Sequence, residues 1–135
     1  MRQWSFAAKV DDVDREIAFL EAIGAELLLE DNLELDGRTF RLPLLRWGTT
    51  YVHVFTAAVY EHLLPEGLPL GIAHVVYEVD DFEDSRKTAL QAGATEIAPP
   101  AMGMSAKFGR RDVAFFRSPG GMLFEFIKIY ERGVP

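Results

Sequence analysis

Glu125 lies in the stretch GGMLFEFIKIY (residues 120–130), one carboxylate among Met, Leu, Phe and Ile. An ionised carboxylate in an apolar strand costs several kcal/mol or more unless a partner compensates it. Two imidazoles, His53 in TYVHVFT and His74 in GIAHVVYEV, sit in similarly apolar, β-prone runs. Two histidines and a carboxylate suit a divalent transition metal with coordination positions left open. A cation would also make ionised Glu125 favourable where burial alone does not. Other partners compete: Arg110, Arg111 or Lys128 for Glu125, and Lys9 for Glu78. A lone strand histidine is more often a satisfied core or edge residue than a ligand. The donor set therefore depends on the elements that position it.

Those elements repeat. FAAKVDDVDREIAFLEAIGAE from Phe6 aligns with VVYEVDDFEDSRKTALQAGAT from Val75 at an offset of 69 residues. Val10, Asp11, Asp12, Gly24 and Ala25 recur as Val79, Asp80, Asp81, Gly93 and Ala94. The shared residues mark a strand end, a helix start and a helix stop. Asp12 and Asp81 are N-cap candidates, because a short carboxylate accepts from the orphan N–H groups of the first turn. Gly24 and Gly93 are helix-stop glycines able to take positive φ. Val13, Ile17, Leu20 and Ile23 give the first helix an apolar side; Phe82, Ser85, Ala89 and Ala92 mark the second.

Strands are expected over 4–10, 26–29, 39–45 and 50–56, and again over 72–79, 96–98, 112–117 and 122–128. The chain is read as α+β, a β-α-β-β-β unit made twice. Module one covers about 1–57 and module two about 72–130, joined by a connector over 58–71 with a short helical turn. The stretch APPAMGMSAKFG (98–109) reads as a long loop, either a lid or ligand loop or a merely floppy one.

Alternation sorts the side chains. Phe6, Ala8 and Val10, with Ala73, Val75, Tyr77 and Val79, should lie under the helices. The opposite faces carry Ser5, Ala7 and Lys9, and Ile72, His74, Val76 and Glu78. In the last strands Tyr51, His53 and Phe55 share a face, as do Leu123, Glu125 and Ile127. His53 and Glu125 correspond at an offset of 72. Each module thus offers two special positions, occupied by Ser5 and His53 in one and by His74 and Glu125 in the other.

Composition narrows the classes. The net charge is −7, from 14 Lys and Arg against 21 Asp and Glu. Such a chain lacks the basic footprint of a nucleic-acid binder and the polybasic patch of a membrane binder. No cysteine is present, so a disulfide scaffold, a Cys-ligated zinc and a Cys nucleophile are excluded. No apolar run reaches transmembrane length and no signal-peptide core is visible, so a cytoplasmic protein is the expectation.

GIAHVVYEVDDFEDSRKTALQAGA (71–94) and RDVAFFRSPGGMLFEFIKI (111–129) resemble the vicinal oxygen chelate superfamily, which holds glyoxalase I, methylmalonyl-CoA epimerase, fosfomycin and bleomycin resistance proteins and extradiol dioxygenases. SPGG stands where that family has a turn before the strand carrying a ligand glutamate. The resemblance implies a cup-shaped, mostly antiparallel, glyoxalase-like sheet formed by the two modules. His74 and Glu125 match the second module's ligands, and His53 falls where the first module usually has Glu or Gln. Ser5 departs from the pattern, standing where a histidine is usual.

The resemblance further implies a metal-dependent enzyme of lyase, isomerase or dioxygenase type. Its substrate would be small, carry adjacent oxygens and react through an enolate or oxyanion. The metal would be Fe, Mn, Co, Ni or Zn, held by His53, His74 and Glu125, with Glu125 doubling as catalytic base and Glu78 as the alternative base. Ser5, Tyr51, Phe55, Phe108 and Arg111 are candidate substrate contacts, and Trp47 and Arg110 further ones. The alternative is a metal-free cup that sequesters a small molecule, as in the bleomycin resistance branch. A homodimer is expected from the resemblance alone.

Overall fold

The computed structural model describes residues 1–35, 37–98, 101–105 and 109–130. The first module runs β1 (Arg2–Lys9), α1 (Val13–Ala22), β2 (Glu26–Leu35), β3 (Arg38–Trp47) and β4 (Thr50–Phe55). A 3₁₀ turn at Glu61–Leu63 lies in the connector. The second runs β5 (Gly71–Glu78), α2 (Phe82–Gln91), β6 (Thr95–Glu96), β7 (Ala101–Ser105), β8 (Gly109–Arg117) and β9 (Leu123–Ile129). All strands join one sheet in the order β2-β3-β4-β1-β5-β9-β8-β6, with β7 also on β8.

The repeat is visible in the pairing. Within each module the first strand pairs parallel with the last, β1 with β4 and β5 with β9. The modules meet through antiparallel β1 and β5. Both helices begin where the aspartates stand: Asp12 accepts from the Arg15 N–H and Asp81 from the Asp84 N–H, each at 3.0 Å. Gly24 and Gly93 take φ of 106° and 109° just after the helices.

Each helix closes a small core. Val13, Ile17 and Leu20 pack with Leu45, Val52 and Val54, backed by Phe6 and Ala8. Phe82 packs with Val79, Ala114, Phe116 and Phe126, backed by Tyr77. Ile23 does not join the first core; it is 46% exposed where the chain turns out toward Gly24.

The loop expected over 98–109 is partly a strand. β7 pairs with β8 from Ala101↔Val113 to Ser105↔Gly109, so β6 and β7 together cover the edge that β2 covers on β3. The unpaired N–H and C=O groups of β8 outweigh the loop-like composition of the segment. Residues 99, 100 and 106–108, the remainder of the expected loop, lie outside the described residues. Two irregularities in the β1–β5 ladder, between Gln3 and Ser5 and between Ala7 and Ala8, break the strict alternation read from the sequence. Near the second, Ile72 points outward, 70% exposed, instead of sharing the His74 face. No helix among the described residues is long and apolar enough to cross a membrane.

Candidate functional site

The concave face of the sheet encloses a cavity of about 470 Å³. Its walls are apolar: Trp4 and Ala7 from β1, Leu42 from β3, Phe55 from β4, Val76 from β5, Val113 and Phe115 from β8, Ile127 from β9. His53, His74, Arg111 and Glu125 enter this lining from four strands, and Tyr60 from the connector. A few convergent polar groups in an apolar concavity are the usual anatomy of a small-molecule site.

His74 lies at the centre of a hydrogen-bonded chain. Its Nε2 is 3.1 Å from Glu125 Oε1 and its Nδ1 is 2.8 Å from the Tyr60 hydroxyl. The parallel β5–β9 pair sets Val76 beside Glu125, so a carboxylate on β9 reaches an imidazole two residues back along β5. Aromatic rings hold the imidazole: Phe55 stacks on it at 6.3 Å and Phe115 meets it edge-on at 5.5 Å. Tyr60 is buried, packs on Phe115 at 4.7 Å, and stays a phenol because burial, then Glu125 and Glu61, raise its pKa.

His53 is held differently. Its Nδ1 lies 3.0 Å from the Pro43 carbonyl oxygen, so this nitrogen carries the proton and Nε2 carries the lone pair. Burial foremost, then the Arg111 guanidinium, pushes its pKa down to about 3. The ring is neutral at any physiological pH. Arg111 is buried at the same cavity; burial lowers its pKa, and the Glu125 and Asp31 carboxylates oppose that shift. Glu125 therefore lies in the field of a permanent cation as well as beside an imidazole.

The remaining expected site residues are distributed as follows. Phe55 and Arg111 line the cavity. Tyr51 does not; it packs against the Trp4 ring at 5.4 Å. Ser5 does not line it either: it is fully buried, its Oγ has no hydrogen-bond partner among the described residues, and Trp4 at the β1 irregularity occupies the wall instead. Phe108 lies outside the described residues. Glu78 pairs with Arg2 at 2.6 Å, outside the cavity lining, and Lys9 pairs with Glu61 at 2.6 Å, so the Lys9–Glu78 pairing does not form. Arg110 lies over the Tyr130 ring at 4.6 Å, and Trp47 is partly exposed away from the cavity.

Tyr60 and Trp4 are functional-looking residues that sequence reasoning missed. Tyr60 stands in a connector whose Pro and Gly residues read only as a turn; its signal was the aromatic residue in the short apolar run AAVY. His62 stands exposed at the cavity mouth. A shallower groove of about 830 Å³ adjoins that mouth and shares Phe40, Phe55 and His62 with the cavity.

The donor chemistry fits a divalent transition metal. Two ligand atoms at about 2.0–2.2 Å from one ion, at angles from right to tetrahedral, lie about 3.0–3.5 Å apart. His74 Nε2 and Glu125 Oε1 already have that spacing. His53 presents a lone pair fixed by a backbone carbonyl, the usual outer support of a ligand histidine. Among the described residues, however, no three His, Asp or Glu side chains converge into a ready cluster; two donors meet and His53 stands apart on β4.

Fold and cavity together define a two-module, cup-shaped protein of glyoxalase-like fold, the architecture of the vicinal oxygen chelate proteins. The chain superposes on methylmalonyl-CoA epimerase from Streptomyces coelicolor, in complex with 2-nitronate-propionyl-CoA, with a TM-score of 0.72 and 17% identity, covering 100% of this chain and 99% of that one. A hypothetical protein from Bacillus halodurans C-125 gives 0.74 and 17%, covering 99% and 98%. The Mn(II)-bound glyoxalase from Novosphingobium aromaticivorans gives 0.61 and 16%, covering 96% of this chain and 38% of that one. No protein-family model and no curated sequence matches the chain. At these identities the likeness establishes the fold.

Proposed function

We propose that the cup is the active site of a small metal-dependent enzyme acting on a compound with adjacent oxygens. His53, His74 and Glu125 would hold the divalent transition metal. The observation that carries this reading is the His74 Nε2–Glu125 Oε1 spacing of 3.1 Å inside an apolar cavity. When bound, the metal would act as a Lewis acid toward the substrate oxygens. The protein's own groups do the rest. Glu125 takes a proton from the carbon next to a substrate carbonyl and returns it, the step shared by isomerases and epimerases. The Arg111 guanidinium lowers the energy of negative charge developing on the substrate oxygen, in a cavity whose apolar walls leave little water to screen it. Trp4, Phe55 and Phe115 hold the substrate body and exclude solvent.

A second reading has its own support. Tyr60, His74 and Glu125 already satisfy one another, and Arg111 supplies positive charge, so a metal-free cup that sequesters a small molecule is chemically complete. Metal analysis of the purified protein before and after reconstitution separates the two. Stoichiometric metal that raises thermal stability supports the enzyme; metal that stays substoichiometric, with unchanged stability, supports the binding cup. The homodimer belongs to the same proposal, supported by Leu70, Ile72 and Met122, which stay exposed near the starts of β5 and β9. Sedimentation showing only monomer-sized species contradicts it.

A further inference from the structure

The two imidazoles of the cup are held by partners of different kinds, and this difference has a chemical consequence. A backbone carbonyl only accepts, so Pro43 fixes His53 in one tautomer whatever else the cup contains. A phenolic hydroxyl both donates and accepts, and that is the partner of His74 Nδ1. On its other side His74 faces a carboxylate, which as an anion only accepts.

We propose that Tyr60 is the positioning residue that pairs with either tautomer of His74 and so lets it exchange Glu125 for a cation. In the metal-free cup the Tyr60 O–H donates to Nδ1, and Nε2–H donates to Glu125. Both nitrogens of the buried imidazole are then paired. When a cation takes the Nε2 lone pair, the proton resides on Nδ1 and donates to the Tyr60 oxygen, whose own hydrogen turns away. His74 keeps its Tyr60 bond in both states. A carbonyl in place of Tyr60 would hold the Nε2 lone pair permanently toward Glu125 and leave two acceptors face to face. The phenol therefore keeps the metal-free cup stable while leaving it ready for a cation. The second half of this inference rests on the proposed metal site; the first half does not.

The test is ¹⁵N NMR of histidine-labelled protein at neutral pH, metal-free and then with Zn²⁺ alone, with bound zinc measured on the same samples. The expected metal-free result is His53 protonated at Nδ1 and His74 at Nε2. Tyr60→Phe, which keeps the ring packing, should leave His74 protonated at Nε2 by its contact with Glu125 and weaken Zn²⁺ binding about 10- to 100-fold. Zn²⁺ should move the His74 proton to Nδ1 and leave His53 as it was. A metal-free His74 protonated at Nδ1, or unchanged Zn²⁺ affinity in a folded Tyr60→Phe, overturns the role of Tyr60. If that variant does not fold, the wild-type tautomers without and with Zn²⁺ decide the role. Bound Zn²⁺ with His74 still protonated at Nε2 overturns the exchange. Expected metal-free tautomers with no zinc bound overturn the exchange and the metal site, and leave Tyr60 as the residue that orients His74 toward Glu125.

Discussion

His74 Nε2 and Glu125 Oε1 stand 3.1 Å apart on the paired strands β5 and β9, both side chains almost wholly buried. This contact explains how a carboxylate is tolerated in the run MLFEFIKI. Its charge is met by an imidazole N–H, and by the field of Arg111 across the cavity. Neither of the other nearby cations does this: Arg110 lies over Tyr130, and Lys128 is on the opposite register of β9.

Removing the imidazole should expose that dependence. His74→Ala leaves Glu125 buried without its N–H donor and is expected to destabilise the metal-free protein by about 1.5–3 kcal/mol, the range for a hydrogen bond to a charged group. Urea unfolding of metal-free wild type and variant measures it. Unchanged stability would mean that Arg111 alone carries the compensation.

Ser5 gives the opposite expectation. Its Oγ is fully buried and has no partner among the described residues, so its desolvation is uncompensated there. Ser5→Ala should be neutral or stabilising by up to about 1 kcal/mol. A loss of stability in the same unfolding experiment would show that the hydroxyl has a partner such as a buried water.

The acid side of the stability profile should carry the mark of His53. Its folded pKa of about 3 lies below its ordinary 6.5, so the unfolded chain binds the proton more readily. Stability contributed by the neutral ring is complete above about pH 6.5. It falls as pH drops toward about 3 and is fully lost below that. His53→Gln should flatten the profile in that window, by an amount on the order of a few kcal/mol. Parallel profiles for the two proteins would contradict the depressed pKa. Arg111→Met should raise the His53 pKa, read by NMR titration.

The repeated glycines offer a matched pair. Both take positive φ, but a Cβ at Gly24 meets open space whereas one at Gly93 comes within 3.3 Å of Pro119 Cγ. Gly24→Ala should cost at least about 1–2 kcal/mol from backbone strain alone, and Gly93→Ala more. Equal losses in thermal unfolding would mean that Pro119 yields freely.

The legible part of this protein was its punctuation. Asp12 and Asp81 cap the helices, Gly24 and Gly93 follow them, and the apolar alternation of β1, β4, β5 and β9 brought His53, His74 and Glu125 to one concave face. Local signals suffice there, because caps and alternation are properties of a few adjacent residues. What escaped depends on tertiary pairing. A ladder irregularity at β1 puts Trp4, not Ser5, on the cavity wall, since one added residue reverses the side chains that follow. Tyr60 reaches His74 from a connector with no periodicity to read. β7 is a strand because β8 needs an edge partner, although its composition is that of a loop.

Whether His53, His74 and Glu125 form a cation site is decided by calorimetric titration of metal-free protein with Mn²⁺ and Zn²⁺, wild type beside His74→Ala and Glu125→Gln. The wild type should bind saturably and stoichiometrically, with affinity reduced at least about 100-fold in either variant. Binding that is absent in the wild type, or equally strong in both variants, contradicts the site.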